Sequence, residues 1–133
     1  MSGATETGGT VGIVELVAIC AEMRGRCRAM FRAIGQWVPQ ESDPVAQRRY
    51  AIASHRHAWH ADLWDERLPK IPVDAIGVDS VTILPPDRWY PAALDEMIAD
   101  LDELEARVDP MLDPSTVRVI TLVRADLVDL RST

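Results

Sequence analysis

His57 and His60 are the residues of this chain whose type and spacing are best suited to chemistry. An imidazole changes its charge near neutral pH and can act as a general base, and its neutral form is a common metal ligand. Residues three apart lie on the same face of an α-helix. Two imidazoles at this spacing therefore predict either a reactive site or a polar contact inside the protein.

The segment that carries both histidines is predicted to be a helix over residues 44–68. Asp43 and Pro44 are typical of an N-cap and a first helical position. At about 100° per residue, one stripe about 100° wide collects both histidines and several apolar residues; it consists of Ala46, Tyr50, Ala53, His57, His60, Ala61, Trp64 and Leu68. We therefore expect both imidazoles to face the core. His55 lies about 140° from His60 on this helix and is predicted to be a surface residue.

The hydrophobic period predicts three further helices, over residues 11–38, 88–108 and 114–131. Residues 1–10 (MSGATETGGT) are small and polar and are predicted to form a disordered tail. The remaining residues, 11–133, are predicted to form a single domain, because a chain of this length can bury a core without disulfides or metals.

The lengths of the connections indicate the topology. Short links join the first helix to the second and the third to the fourth, so each pair is predicted to be an antiparallel hairpin. A segment rich in proline and glycine, at about 69–87, joins the two hairpins and can run back along a bundle. This arrangement predicts an all-α, ferritin-like four-helix bundle in which the second and third helices are parallel.

The run HRHAWHADLWDERLP, followed by its proline-rich connection, resembles a segment of uncharacterised ferritin-like proteins from actinobacteria. The resemblance extends over nearly the whole chain and implies the same helical-bundle fold. It implies no activity, cofactor or site residue, because that family has no function to transfer.

The residues needed for a ferritin-like di-iron centre are incomplete. Such a centre takes a Glu from each of two helices and a Glu-x-x-His motif from each of the other two. Here His57-Ala-Trp-His60 stands where Glu-x-x-His is expected, and the fourth helix contains no histidine. Glu15 and Glu22 of the first helix are predicted to point to solvent. We therefore predict that no di-iron centre forms and that no cofactor is bound.

Glu105 lies inside the apolar stripe of the third helix and, in a ferritin-like topology, at the level of His60. Three interpretations remain open. A buried Glu105 could form a polar network with the histidines that fixes helix register and raises their pKa values. A small-molecule pocket could use His57, His60 and Glu105 as catalytic residues and be lined by Tyr50, Trp64 and Arg124. One metal ion could instead be held by His57, His60 and Glu105.

A second apolar strip on the same helix lies about 120–160° from His57; its members are Val45, Ile52, Trp59 and Leu63. A helix in a four-helix monomer rarely needs so wide an apolar surface, and tryptophan is enriched among residues that anchor interfaces. We predict that this strip forms a homodimer interface, with coverage by the crossover as the alternative.

Composition limits the classes of function. A formal net charge of −7 disfavours binding to nucleic acid or to an anionic membrane surface. No apolar run reaches transmembrane length and no signal-peptide pattern is seen, so a cytoplasmic location is expected. Cys20 and Cys27 are predicted to be reduced, buried thiols. Together these observations predict an accessory or interaction protein, with a small enzyme or ligand-binding protein as the alternative.

Overall fold

The computed structural model describes residues 9–69 and 86–133 of the chain. These residues form four α-helices and contain no β-strand; the helices are α1 (Ile13–Trp37), α2 (Pro44–Asp65), α3 (Pro86–Arg107) and α4 (Pro114–Ser132). The all-α prediction is confirmed, and the predicted helix boundaries agree with these to within about three residues. Residues 1–8 of the predicted tail and 70–85 of the predicted crossover lie outside the described residues.

Aspartate followed by proline begins both α2 and α4. The carboxylate of Asp43 accepts hydrogen bonds from the backbone N–H groups of Val45 and Ala46, each at 3.4 Å. Asp113 accepts from the backbone N–H of Thr116 at 3.1 Å and from its hydroxyl at 2.5 Å. Each aspartate thus accepts hydrogen bonds from backbone amides that have no partner within the helix. The proline that follows has no backbone N–H and therefore needs no acceptor.

The chain forms two compact units. Of the described residues, the α1–α2 unit comprises 17–69 and Pro86, and the α3–α4 unit comprises 87–133 together with 9–16. The first four residues of α1, 13–16, therefore belong with α3 and α4.

Contacts within the α1–α2 unit show that its two helices are antiparallel. Trp37 and Tyr50 meet edge to face with ring centroids 5.6 Å apart. Farther along the pair, the hydroxyl of Ser54 donates to the backbone carbonyl of Phe31 at 3.0 Å. At the other end, Arg24 Nη1 contacts Asp65 Oδ1 at 2.5 Å. Across these three contacts the residue numbers on α1 decrease while those on α2 increase. The two helices are therefore antiparallel, which confirms the predicted hairpin.

The α3–α4 unit is also an antiparallel hairpin. Arg124 of α4 pairs with Glu105 of α3, and Arg131, farther along α4, pairs with Asp95, which lies earlier on α3. The buried residues of this hairpin are almost all aliphatic; on the two helices and at Val108, just after α3, they are Leu94, Met97, Leu101, Leu104, Val108, Thr116, Val119, Ile120, Val123, Leu127 and Leu130. They recur at three- and four-residue intervals, as expected for one buried face per helix.

None of the helices in the described residues is long and apolar enough to cross a membrane.

Candidate functional site

His57 and His60 are both completely buried on α2. Their rings are edge to face, with centroids 5.8 Å apart and planes at 83°. The prediction that both imidazoles face the core is confirmed. Most of the predicted stripe is buried with them, whereas Ala46 and Tyr50 are half-buried. His55 is exposed, as predicted.

Burial lowers the pKa of His57 to about 3, and the nearby charges of His60 and Arg56 contribute to this shift. The charged form of an imidazole loses its hydration when it is buried, so the neutral form is favoured. The expectation that a carboxylate raises the histidine pKa values is therefore wrong for His57. At neutral pH this imidazole is uncharged and a weak base.

Cys27 on α1 lies at about the level of His60 in the antiparallel hairpin, because the Phe31–Ser54 and Arg24–Asp65 contacts fix the register. Its side chain is buried, and burial raises the pKa of the Cys27 thiol to about 12. Only a thiolate is a good nucleophile or metal ligand. Neither Cys27 nor Cys20 forms a disulfide, and both are buried as predicted.

Glu105 is only half-buried, with 40% of its side chain exposed. Arg124 donates two hydrogen bonds to its carboxylate, from Nη1 to Oε1 at 2.7 Å and from Nη2 to Oε2 at 2.9 Å. This guanidinium lowers the pKa of Glu105. The polar-network interpretation requires a buried Glu105, whereas Arg124 on the neighbouring helix holds this carboxylate at the half-exposed edge of the hairpin.

The residues proposed to line a pocket lie in different surroundings. Trp64 is completely buried, and its indole Nε1 has no hydrogen-bond partner among the described residues. Tyr50 packs against Trp37. Arg124 belongs to the other unit, where Asp102 also contacts its Nη1 at 3.0 Å. Within the described residues, no group of three or more His, Cys, Asp or Glu side chains could hold a metal ion.

Three residues of the second apolar strip on α2 are exposed: Val45 at 65%, Ile52 at 44% and Trp59 at 43%. We call these three residues the α2 strip. Leu63 is buried at 7%, contrary to its predicted place in this strip. It lies about 40° closer than Trp59 to the buried seam around His57, so it joins the core instead. Trp59 also contacts the ring of His60, with centroids 5.8 Å apart.

The buried Arg24 was missed by sequence reasoning. Its guanidinium pairs with the carboxylate of Asp65, and only 10% of the Arg24 side chain is exposed. The signal was its spacing, four residues after Cys20 and three before Cys27, which places Arg24 at the edge of the buried face of α1. This Arg24–Asp65 ion pair links α1 to the end of α2.

Comparison with protein-family models, with curated proteins and with solved structures finds no match to this chain.

Proposed function

We propose that this protein is an accessory or interaction protein: a cytoplasmic, ferritin-like four-helix bundle without a complete di-iron site, which forms a homodimer through the α2 strip. The observation that carries this proposal is the exposure of three large apolar side chains at seven-residue intervals along one helix.

Seven-residue spacing supports pairing with another helix. Positions seven apart lie about 20° from each other around a helix, so Val45, Ile52 and Trp59 form a nearly straight seam of the kind that paired helices bury. The seam is symmetric about Ile52. An antiparallel two-fold pairing brings Ile52 against its own copy and Val45 against Trp59 of the partner subunit, as an isologous interface requires.

Basic residues beside the seam give the association a salt dependence. In this pairing Arg48, which is exposed, comes near Arg56 of the partner subunit. Like charges that face each other across an interface oppose association, and added salt screens this repulsion. The apolar contact should therefore become stronger as salt rises, which is opposite to the behaviour of an interface held by ion pairs.

The electrostatics of His57 support an interaction role over a catalytic one. A general base works best when its pKa lies near the working pH. With a pKa of about 3, the imidazole of His57 has little tendency to remove a proton from a substrate at neutral pH. A structural position inside the helix pair suits its burial better.

The test is sedimentation of the full chain and of Trp59→Glu. We expect a dimer for the wild type that strengthens from low to high salt, and a monomer for Trp59→Glu. Ala51→Glu is the matched control, because Ala51 is exposed on the same helix about 100° from Ile52 and receives the same charge. It should stay dimeric. A monomeric wild type, or a Trp59→Glu variant that remains dimeric, contradicts the proposal.

A further inference from the structure

Four large aliphatic side chains at one end of the α3–α4 unit are almost fully exposed. They are Ile13 at 79%, Val14 at 82%, Met111 at 87% and Leu112 at 81%. We call them the end patch. Ile13 and Val14 begin α1, and Met111 and Leu112 lie in the turn between α3 and α4. All four belong to the same compact unit, and none is part of the α2 strip.

Arg107, the last residue of α3, holds the two halves of the end patch together. Its backbone carbonyl accepts a hydrogen bond from the backbone N–H of Val11 at 2.9 Å. Its side chain donates from Nε to the carbonyl of Gly9 at 3.1 Å and pairs through Nη2 with Glu15 at 2.6 Å. The start of α1 is thus fixed beside the point where the α3–α4 turn begins.

The turn that carries Met111 and Leu112 is itself ordered by Asp109. The carboxylate of Asp109 accepts from the backbone N–H of Met111 at 2.8 Å. Its backbone carbonyl accepts from Leu112 at 3.2 Å and from Asp113 at 2.9 Å. The apolar side chains are therefore presented on a hydrogen-bonded backbone. Exposed apolar side chains on such a frame are typical of an interaction site.

The size of the end patch favours a short binding partner. Its four side chains together expose on the order of 500 Å², comparable with the largest apolar patch of a typical monomer. A stable interface between globular proteins buries about 800 Å² on each side. A single extended or helical segment can cover the smaller area.

The charge around the end patch indicates the chemistry of that segment. Glu15, Asp109 and Asp113 supply three carboxylates, and Arg107 supplies one positive charge that is already paired with Glu15. A second copy of this chain would bring the same acidic groups, and anionic lipid headgroups would be repelled. Basic residues beside the apolar ones would be attracted.

We propose that the end patch binds a short segment of another protein in which apolar side chains are flanked by lysine or arginine. The apolar side chains contact Ile13, Val14, Met111 and Leu112, and the flanking cations face Asp109 and Asp113. This site is separate from the proposed dimer interface and does not depend on it.

The probe is a synthetic peptide of leucines flanked by lysines, with a second peptide in which every lysine is replaced by glutamate. Each is titrated into the isotopically labelled full chain and followed by amide NMR shifts and by fluorescence anisotropy. We expect the lysine peptide to bind at least tenfold more tightly and to shift residues 11–16 and 107–114. Met111→Glu/Leu112→Glu and Ile13→Glu/Val14→Glu should each weaken binding at least tenfold, whereas Trp59→Glu should leave it unchanged.

Several outcomes would overturn this proposal. One is no binding of the lysine peptide at millimolar concentration, and another is equal binding of both peptides. Shifts confined to other residues, or unchanged affinity in both double variants, would also exclude the site. Binding to phosphatidylcholine–phosphatidylserine vesicles that either double variant abolishes would assign the patch to a membrane. The replaced side chains are solvent-exposed, so the variants should fold like the wild type. Circular dichroism melts check this.

Discussion

The two helical hairpins of this chain are stabilised in different ways. The α3–α4 hairpin buries an almost entirely aliphatic face and places its ion pairs at the edge, where Arg124 meets Glu105 and Arg131 meets Asp95. The α1–α2 hairpin buries imidazoles, thiols and an arginine among its apolar residues. The buried polar groups make the α1–α2 hairpin sensitive to pH in a way that the α3–α4 hairpin is not.

The position of each polar group explains this difference. A charge at the edge of a hairpin keeps most of its hydration, so forming a pair there changes the free energy of unfolding only slightly. An imidazole without solvent contact must remain neutral or lose its hydration. Glu105 is a charge at the edge of its hairpin, whereas His57 is an imidazole without solvent contact.

Leu101→Ala tests the aliphatic side of this comparison and should have the largest effect. Leu101 is completely buried on α3, so its truncation loses apolar burial and leaves a cavity. We expect the free energy of unfolding to fall by about 2–5 kcal/mol in urea denaturation. Leu112→Ala is the matched control at an exposed position and should change it by less than about 0.5 kcal/mol. A loss below about 1 kcal/mol for Leu101→Ala would show that this hairpin is not tightly packed.

His57→Gln tests the pH sensitivity of the α1–α2 hairpin. The folded pKa of His57 is about 3, below the ordinary value of 6.5, so the unfolded chain takes up a proton first. The stability due to the neutral imidazole is complete above pH 6.5 and is lost as pH falls toward 3. At about 1.4 kcal/mol per pH unit, and because the unfolded imidazole is already half protonated at pH 6.5, the wild type should lose about 2 kcal/mol more than His57→Gln between pH 6.5 and 4.5.

The control for this experiment is His55→Gln, which removes an exposed imidazole two residues away on the same helix. It should keep the pH dependence of the wild type. Parallel stability curves for the wild type and His57→Gln, measured by urea denaturation at several pH values, would mean that the folded pKa of His57 is not lowered.

Glu105→Gln should have the smallest effect. Arg124 lowers the pKa of Glu105, so the stability from this pair is present above the ordinary value of 4.5 and is lost as pH falls through the lower folded pKa. Because the carboxylate is 40% exposed, we expect only about 0.2–1 kcal/mol at pH 7, reduced further by salt. Glu96→Gln, at an exposed position on the same helix, is the control. A loss above about 2 kcal/mol that persists in 1 M salt would contradict edge placement of Glu105.

Local sequence patterns are enough to predict the helices and the buried side of each one. Periodicity and capping depend on residues within a few positions of one another, so Asp43-Pro44 correctly predicts the start of α2. The same local geometry predicted the burial of His57 and His60 and the exposure of His55.

Which partner each polar side chain contacts depends instead on how the helices pack against each other. The angle of Glu105 on α3 places it within the apolar stripe, but the register of α3 against α4 brings Arg124 beside it. The register of α1 against α2 likewise pairs the missed Arg24 with Asp65. Register depends on packing between residues that are distant in sequence, and a helical period contains no information about it.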